Sequence, residues 1–333
     1  MTGKQPKRYM ARALAMLASL SLLLSAQASA APWSFVPDAA RTAKPPVPVM
    51  LVLAQSGLEG GEDPGAASPP NLLLNGALGQ IIDGIITRAR NASRNRKAVE
   101  AVTPLLPALD GFDANAVLEA GLQQTLANTG WLHLAGVSQA SASNGADANL
   151  PAEVSGAAFY AVVSCTYLLS GQLDSVYAAC ENSLYQNGSD GGTDAAGKAG
   201  TGKLVHYRRT EVQVGLAHYA PEIADRKAQW LAGSAAPLKR ALTMALTAVA
   251  QLSARSLAQG PADYDVYQRA RKMNMGQYID THGGELIEGA DNLLNAHESC
   301  FNRKNKSSVK VDSDGVVLQE ENGSLYRCMG FSQ

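Results

Sequence analysis

Apolar positions along the chain follow two periods, and the change between them separates predicted strands from predicted helices. Residues 47–54 form an apolar run of strand length with β-branched members, which predicts a buried strand. Residues 71–91, 113–128 and 235–258 repeat apolar positions at intervals of three and four, which predicts amphipathic helices. Asp113 begins the second of these helices as an N-cap, because its side chain can accept a hydrogen bond from a first-turn amide.

Shorter elements complete this pattern. Helical periodicity already begins at residue 221 and is interrupted at Gly233-Ser234, which predicts two helical parts before residue 258. Residues 97–103 predict a short helix. Residues 131–137 and 203–214 predict strands, and the polar stretch 138–150 predicts a loop.

Within strand 131–137, we interpret His133 as a packing residue beside Trp131 and Leu134. Trp131 and Trp230 are interpreted as core anchors.

A β-hairpin is predicted in the middle of the chain. Residues 159–169 and 173–185 alternate apolar and more polar positions on either side of Gly171-Gln172. If Cys165 faces Cys180, one face of both strands is apolar except for Asn182, and the other face is mixed. A two-residue turn would instead place Cys165 opposite Ala178. The cysteine pairing therefore predicts a longer loop or a bulge that shifts the register by two residues.

All four cysteines, Cys165, Cys180, Cys300 and Cys328, lie beyond residue 30. An even number in an oxidising compartment favours disulfides. We favour Cys165–Cys180 with Cys300–Cys328, because each pair lies within one local β region. Four free thiols are the alternative. A zinc site made by all four is less favoured, because no two cysteines are spaced two to four residues apart.

Residues 309–331 predict a β meander, because Asp312-Ser313-Asp314-Gly315 and residues 321–324 are strong hairpin-turn sequences. The predicted fold class is therefore α/β (α+β): a mixed sheet covered by helices, with a small C-terminal disulfide-tied β meander. The predicted organisation is a signal peptide, a flexible lead, an α/β domain and a C-terminal disulfide-linked subdomain. These span residues 1–30, 31–46, 47–258 and 259–333.

The first thirty residues predict export. They contain four basic residues and no acidic one, then the apolar run 13–24, and they end in the small-x-small sequence Ala28-Ser29-Ala30. This order is typical of a secretory signal peptide cleaved between Ala30 and Ala31. A membrane anchor is the alternative, but the apolar run is shorter than the roughly 20 residues that a spanning helix needs. We therefore predict no stable membrane insertion after cleavage.

The net charge after removal of the leader restricts the classes of binding partner. Removing the four leader cations from the 28 basic residues leaves 24 against 29 acidic residues, a net charge of −5. Such a protein lacks the positive surface that nucleic acid or anionic lipid would require. The alanine-rich, phenylalanine-poor composition indicates a GC-rich bacterium. The predicted location is thus the periplasm, or the exterior if the protein is secreted.

Motifs for chemistry are weak, and we predict no catalytic, cofactor-binding or metal-binding residues. Residues 192–199 read Gly-x4-Gly-Lys-Ala and lack the Ser or Thr that a phosphate-binding loop requires. The Asp312–Gly315 turn resembles part of a calcium loop, but Lys310 occupies the first ligand position. No Gly-x-Ser-x-Gly sequence is present. The histidines are not spaced as paired helical zinc ligands.

The middle of the chain resembles a group of bacterial envelope proteins. The matching pieces are strand 49–54, the leucines at 118, 122 and 126 leading into residues 129–132, and the hairpin opening 158–163. The group comprises the curli-secretion outer-membrane lipoproteins, the lipoprotein activators of penicillin-binding proteins, and the amino-terminal domain of the Tol-system β-propeller protein. The resemblance covers residues 47–215 and implies an α/β layer and a scaffolding or partner-binding role. The chain departs from the group in lacking a lipidation cysteine, and no functional residue carries over.

Two functions are expected from these observations. The first is a non-catalytic binding or assembly accessory of the bacterial cell envelope, with an envelope protein as its partner. The second is an exported hydrolase whose site is not recognisable from sequence. The hydrolase would draw a titratable cluster from four histidines: His206, His218, His282 and His297.

Overall fold

A computed structural model describes the chain in segments: residues 36, 38–53, 55, 57–61, 96–127, 130–141, 156–187, 203–216, 220–273, 285–288, 316–319 and 324–330. The predicted signal peptide, the Ala30/Ala31 cleavage site and the predicted helix 71–91 lie outside the described residues. Phe35–Gln333 form one compact unit.

The described strands form one nine-stranded mixed sheet, in the order β3-β1-β4-β5-β6-β9-β8-β7, with β2 also paired to β4. Pairing is parallel at β3/β1, β1/β4, β2/β4 and β6/β9, and antiparallel elsewhere. The mixed sheet with helices confirms the predicted fold class. The strands are β1 Pro46–Leu53, β2 Glu59–Gly61, β3 His133–Ser141, β4 Phe159–Ser170, β5 Ser175–Gln186, β6 Lys203–Gly215, β7 Glu285–Glu288, β8 Val316–Gln319 and β9 Leu325–Gly330.

The described helices are α1 Asp38–Ala43, α2 Arg96–Val102, a 3₁₀ helix Thr103–Leu109, α3 Ala114–Leu126, α4 Ile223–Ala258 and α5 Pro261–Met273. Helices α2, α3 and α4 form where the sequence predicts helices. Helix α1 lies within residues 31–46, for which the sequence predicts a flexible lead, and the 3₁₀ helix and α5 are not predicted. Asp113 caps α3, its Oδ1 accepting a hydrogen bond from the Ala116 amide at 3.0 Å. Helix α4 is interrupted where the sequence predicts it, with positive φ angles at Gly233, Ser234 and Ala235.

One face of the sheet carries the hydrophobic core beneath α3 and α4. The leucine stripe of α3 and the Leu238, Leu242 and Leu246 stripe of α4 are fully buried in this cluster. The two helices approach closely at Gly121, where an added Cβ would lie 2.8 Å from the Ala250 Cβ. Trp230, in the first part of α4, is buried in the same hydrophobic core and donates from Nε1 to the Leu173 carbonyl at 2.8 Å. It is the core anchor that the sequence predicts.

The central hairpin has the predicted register. Cys165 lies directly opposite Cys180 across β4 and β5, and the two form a disulfide with a Cα–Cα distance of 4.1 Å. The connecting loop spans residues 171–174, two more than a two-residue turn, as the predicted register shift requires. The loop is anchored by Arg226, which donates to the carbonyls of Gln172, Ala220 and Pro221.

Strand β3 differs from its prediction. It begins at His133 rather than at Trp131 and runs to Ser141 through a stretch that the sequence predicts as a loop. Pairing with β1 along its whole length supplies the main-chain hydrogen bonds, so the polar sequence of this stretch does not prevent the strand. The packing interpretation of His133 is wrong, because its side chain is exposed. Trp131 is buried just before the strand.

The second hairpin of the predicted carboxyl-terminal meander forms, and it extends the main sheet. Strands β8 and β9 pair antiparallel, as the turn sequence at 321–324 predicts, and β9 pairs parallel with β6. Residues 309–315, which include the first predicted turn, lie outside the described residues, and β8 pairs on its other side with β7. The described parts of residues 259–333 therefore share the sheet of the predicted α/β domain. None of the helices in the described ranges is long and apolar enough to cross a membrane.

Candidate functional site

An open groove of about 600 Å³ lies where the carboxyl-terminal ends of α3 and α4 meet the first turn of α5. Its lining mixes side-chain amides, a hydroxyl, one cation and one anion. The lining residues are Gln124, Thr125, Gly130, Gln251, Arg255, Ala258 and Asp263.

Local hydrogen bonds hold the walls of the groove in place. Trp131 follows Gly130, whose φ of 43° turns the chain from α3 toward β3. The Trp131 Nε1 donates to the Ala258 carbonyl at 3.2 Å, which ties this turn to the end of α4. Asp263 accepts a hydrogen bond from the Gly260 amide at 2.7 Å and so caps α5. The groove is thus built by three helix ends that are fixed to one another.

A second link fastens the groove to the amino-terminal part of the chain. The guanidinium of Arg41 on α1 lies 5.9 Å from the ring centroid of Trp131. It also donates to the Gln259 carbonyl at 3.3 Å. Gly260 leaves space for this arginine, because a Cβ there would lie 2.1 Å from its Nη1. A side chain at Gly260 would therefore displace Arg41 from the groove wall.

The groove lining is suited to hydrogen bonding. Gln124 and Gln251 are exposed and carry amides, which can both donate and accept. Arg255 and Asp263 add one charge of each sign. Small-molecule sites bury most of their ligand, whereas this groove is open to solvent. It contains no histidine or cysteine, so it offers no nucleophile beside a histidine base.

A buried polar cluster lies deeper, between the sheet and α4. The Asn182 Nδ2 donates to the Thr210 Oγ1 at 3.1 Å and to the Arg208 carbonyl at 3.3 Å. Thr210 in turn shares a hydrogen bond of 3.0 Å with Ser253 on α4. These bonds join the hydroxyls to an amide and to each other, with no carboxylate or imidazole among the partners. The cluster fixes the position of α4 on the sheet and accounts for Asn182, the one polar residue of the predicted apolar face.

His206 and Arg208 continue this side of β6. His206 is only 3% exposed. Arg208 donates from Nη1 to the Tyr207 carbonyl at 2.6 Å. Burial lowers the pKa of Arg208 to about 10, because desolvation disfavours its charged form. Of the four histidines considered for a hydrolase, His206 is described, and the other three lie outside the described residues.

The opposite face of the central strands, which the alternation predicts to be mixed and more polar, is also largely buried. Arg209 and Glu211 form an ion pair at 3.0 Å, with side chains 14% and 7% exposed. The Glu211 carboxylate helps to keep the pKa of Arg209 above its ordinary value, against the opposing effect of desolvation. The rings of Tyr160 and Tyr185 stack at a centroid distance of 5.0 Å. Charge and aromatic area are therefore packed together on this face.

Other residues singled out from the sequence fall in different places. Cys165 and Cys180 are joined as predicted. Cys328 is disulfide-bonded, and Cys300, its predicted partner, lies outside the described residues. Ala30, Ala31, the 192–199 stretch and the 312–315 turn also lie outside them. No group of residues suited to holding a metal ion occurs in the part of the chain that the structure describes.

The sequence does not predict the groove. Its lining comes from the end of α3 and from the α4–α5 junction, which lie more than a hundred residues apart along the chain, and a single sequence does not show which helix ends meet. Two local signals are present: Gly130, which marks the turn after α3, and Asp263, three residues after Gly260, which marks a capped helix start. Comparison with known proteins adds nothing further: no family model matches the chain, nor does any curated protein or solved structure.

Proposed function

We propose that this protein is exported to the bacterial cell envelope and there serves as a non-catalytic binding or assembly accessory. Its partner is another envelope protein, which presents a polypeptide segment to the groove between α3, α4 and α5. The observation that supports this proposal is the open groove, whose lining includes two side-chain amides and one charge of each sign.

The chemistry of the groove favours a polypeptide over a small metabolite. A peptide backbone alternates donors and acceptors, and the exposed amides of Gln124 and Gln251 can satisfy both. Arg255 and Asp263 can pair with side chains of either charge. An open channel leaves room for a chain to enter and leave, whereas small-molecule sites bury most of their ligand.

The disulfide supports a location outside the cytosol. The Cys165–Cys180 bond lies inside the core, with the two residues 0% and 1% exposed, so it belongs to the folded protein. Structural disulfides of this kind persist in the periplasm and in secreted proteins. A signal peptide over residues 1–30 would deliver the chain there.

Site-directed photo-crosslinking tests the proposal. Benzoylphenylalanine replaces Gln251 in the groove, and in a matched control it replaces Thr243, which is exposed on α4 about two turns earlier. Both proteins are exported in the natural host with their own leader and irradiated in intact cells. We expect a discrete adduct with one envelope protein at position 251 and none at position 243.

A second variant shows whether groove chemistry holds the partner. Adding Arg255→Ala to the position-251 protein is expected to reduce the adduct at least several-fold, with export and far-UV circular dichroism unchanged. The same adduct at both positions, or none at either, would overturn the proposal. An adduct that is indifferent to Arg255→Ala would show that the partner binds elsewhere.

A further inference from the structure

The two ends of the sheet differ in a way that bears on self-association. Strand β3 forms one edge and pairs, within the described ranges, with β1 alone. It is nine residues long, against four for β7 at the other edge. Natural proteins protect exposed edges with charges, prolines or short strands. Strand β7 is short and begins and ends with a glutamate, whereas β3 contains no proline, lysine or carboxylate.

The helix beside this edge is also poor in charge. Between residues 114 and 141, the ionisable side chains are Glu119 and His133. Both Glu119 oxygens are already engaged, accepting from Gln123 at 2.9 Å and from Gln139 on β3 at 2.5 Å. This hydrogen bond from β3 places α3 directly against the edge strand. Charge depletion of this kind distinguishes the cores of protein interfaces from the rest of a protein surface.

The surface is also accessible. Ala116, Ala120 and Gln123 are exposed on α3, and Ala135 and Gly136 are exposed on β3. The one irregularity of the edge lies at Ala135, where the register with β1 shifts by a residue. From Gly136 to the end of β3 the pairing with β1 is regular. This stretch therefore presents a straight row of main-chain groups to a further strand.

We propose that β3 pairs antiparallel with β3 of a second copy of this chain, so that two sheets join across a twofold axis and α3 lies beside the junction. We call this surface the β3 edge, meaning β3 together with Ala116, Ala120 and Gln123 of α3. Pairing with a second copy goes beyond the proposed binding function and uses a surface other than the groove lining.

A second copy fits the β3 edge better than a charged partner. Strand β3 has no lysine, arginine or carboxylate of its own, and the neighbouring Glu119 carboxylate is already engaged by Gln123 and Gln139. The β3 edge therefore does little to attract an acidic or basic segment, and an identical strand places no lysine or carboxylate opposite another. Pairing of β3 with β7 of another copy would bring in Glu285 and Glu288 and would build an open filament. Pairing of like edges closes after two copies, which is the commonest symmetry of soluble oligomers.

Sedimentation equilibrium of the mature, oxidised full-length chain tests the proposal, with Ser138→Lys as the variant. A lysine on each copy brings two cations together near the axis, so we expect the dimer dissociation constant to rise at least tenfold. Thr243→Lys adds the same charge on the exposed side of α4 and is expected to leave the constant unchanged. Thermal unfolding of both variants shows whether the fold is retained.

Single cysteines at Gly136, Val137, Ser138 and Gln139 locate the axis independently of stability. Antiparallel pairing is expected to give an intermolecular disulfide at one or two of these positions, and none for Thr243→Cys. A protein that stays monomeric at every concentration overturns the proposal, as does a dimer indifferent to Ser138→Lys. Neither result bears on groove adducts at position 251, so the proposed function is tested separately.

Discussion

Both faces of the central sheet are buried, but the side chains on the two faces differ in chemistry. The face beneath α3 and α4 is apolar, stapled by Cys165–Cys180 and interrupted by the small Asn182 cluster. The opposite face contains the Arg209–Glu211 ion pair and the Tyr160–Tyr185 stack. The apolar face stabilises the fold through apolar area removed from water and through the disulfide. The face with the ion pair stabilises the fold only while the buried charges remain paired.

The largest expected effect comes from breaking the ion pair of the polar face. Glu211→Ala removes the ion-pair partner at 3.0 Å from the largely buried Arg209 guanidinium, which keeps the Glu181 carboxylate opposite it on β5. The loss of the close partner is expected to cost about 3–5 kcal/mol of unfolding free energy. Urea denaturation of oxidised protein measures this loss. Val212→Ala is the matched comparison. Val212 is the next residue on β6 and faces the apolar side, so its truncation creates a cavity and leaves every charge paired. A loss below about 1 kcal/mol in Glu211→Ala would show that solvent reaches Arg209.

The second effect concerns the Cys165–Cys180 disulfide on the apolar face. Replacing Cys165 and Cys180 together by alanine opens a loop of sequence separation 15. In the chain-entropy model this costs about 3 kcal/mol of unfolding free energy. The second disulfide, at Cys328, stays intact and serves as an internal control. Equal unfolding midpoints for the variant and the parent protein would contradict a structural role for this bond.

The third effect is an alkaline loss that arises on the polar face. Burial raises the pKa of Tyr185 to about 12 from its ordinary value of 10.0; the nearby Ser183 side chain opposes this rise and the Glu181 carboxylate adds to it. The unfolded chain therefore loses this proton first. Its contribution is complete below pH 10 and is lost as the pH rises toward 12, by roughly 2–3 kcal/mol.

Tyr185→Phe isolates the contribution of this hydroxyl. Burial lowers the pKa of Arg208, so its titration makes the folded protein more stable as the pH rises, opposite to Tyr185. The quantity to measure is therefore the difference in unfolding free energy between parent and variant from pH 9 to pH 12. We expect the variant to lose less stability over this range. Parallel stability curves would mean that the Tyr185 hydroxyl is solvated in the folded protein.

The same contrast explains how much of the molecule the sequence could predict. The apolar stripes of α3 and α4, the Asp113 cap and the Cys165–Cys180 register all rest on local periodicity, and the structure confirms them. Burial of the polar face is not visible in the sequence, because alternation with Ser, Glu and Arg resembles a solvated face. The extension of β3 to Ser141 depends on a partner strand more than eighty residues away along the chain.

The groove illustrates the same limit for function. Gln124, Gln251 and Asp263 are ordinary helix residues in the sequence, and only the tertiary arrangement brings them to one channel. The histidines considered for a hydrolase were chosen by residue type rather than by position. Of these, His206 is placed away from the groove lining, on a strand in the sheet.

The most direct test of the account is the intact mass of the protein isolated from its natural host, alkylated before and after reduction. Export and oxidative folding require a chain that begins at Ala31, takes up no alkylating reagent before reduction, and takes up four equivalents after it. A chain that keeps Met1, or that reacts at four thiols without reduction, would contradict both the envelope location and the binding function that depends on it.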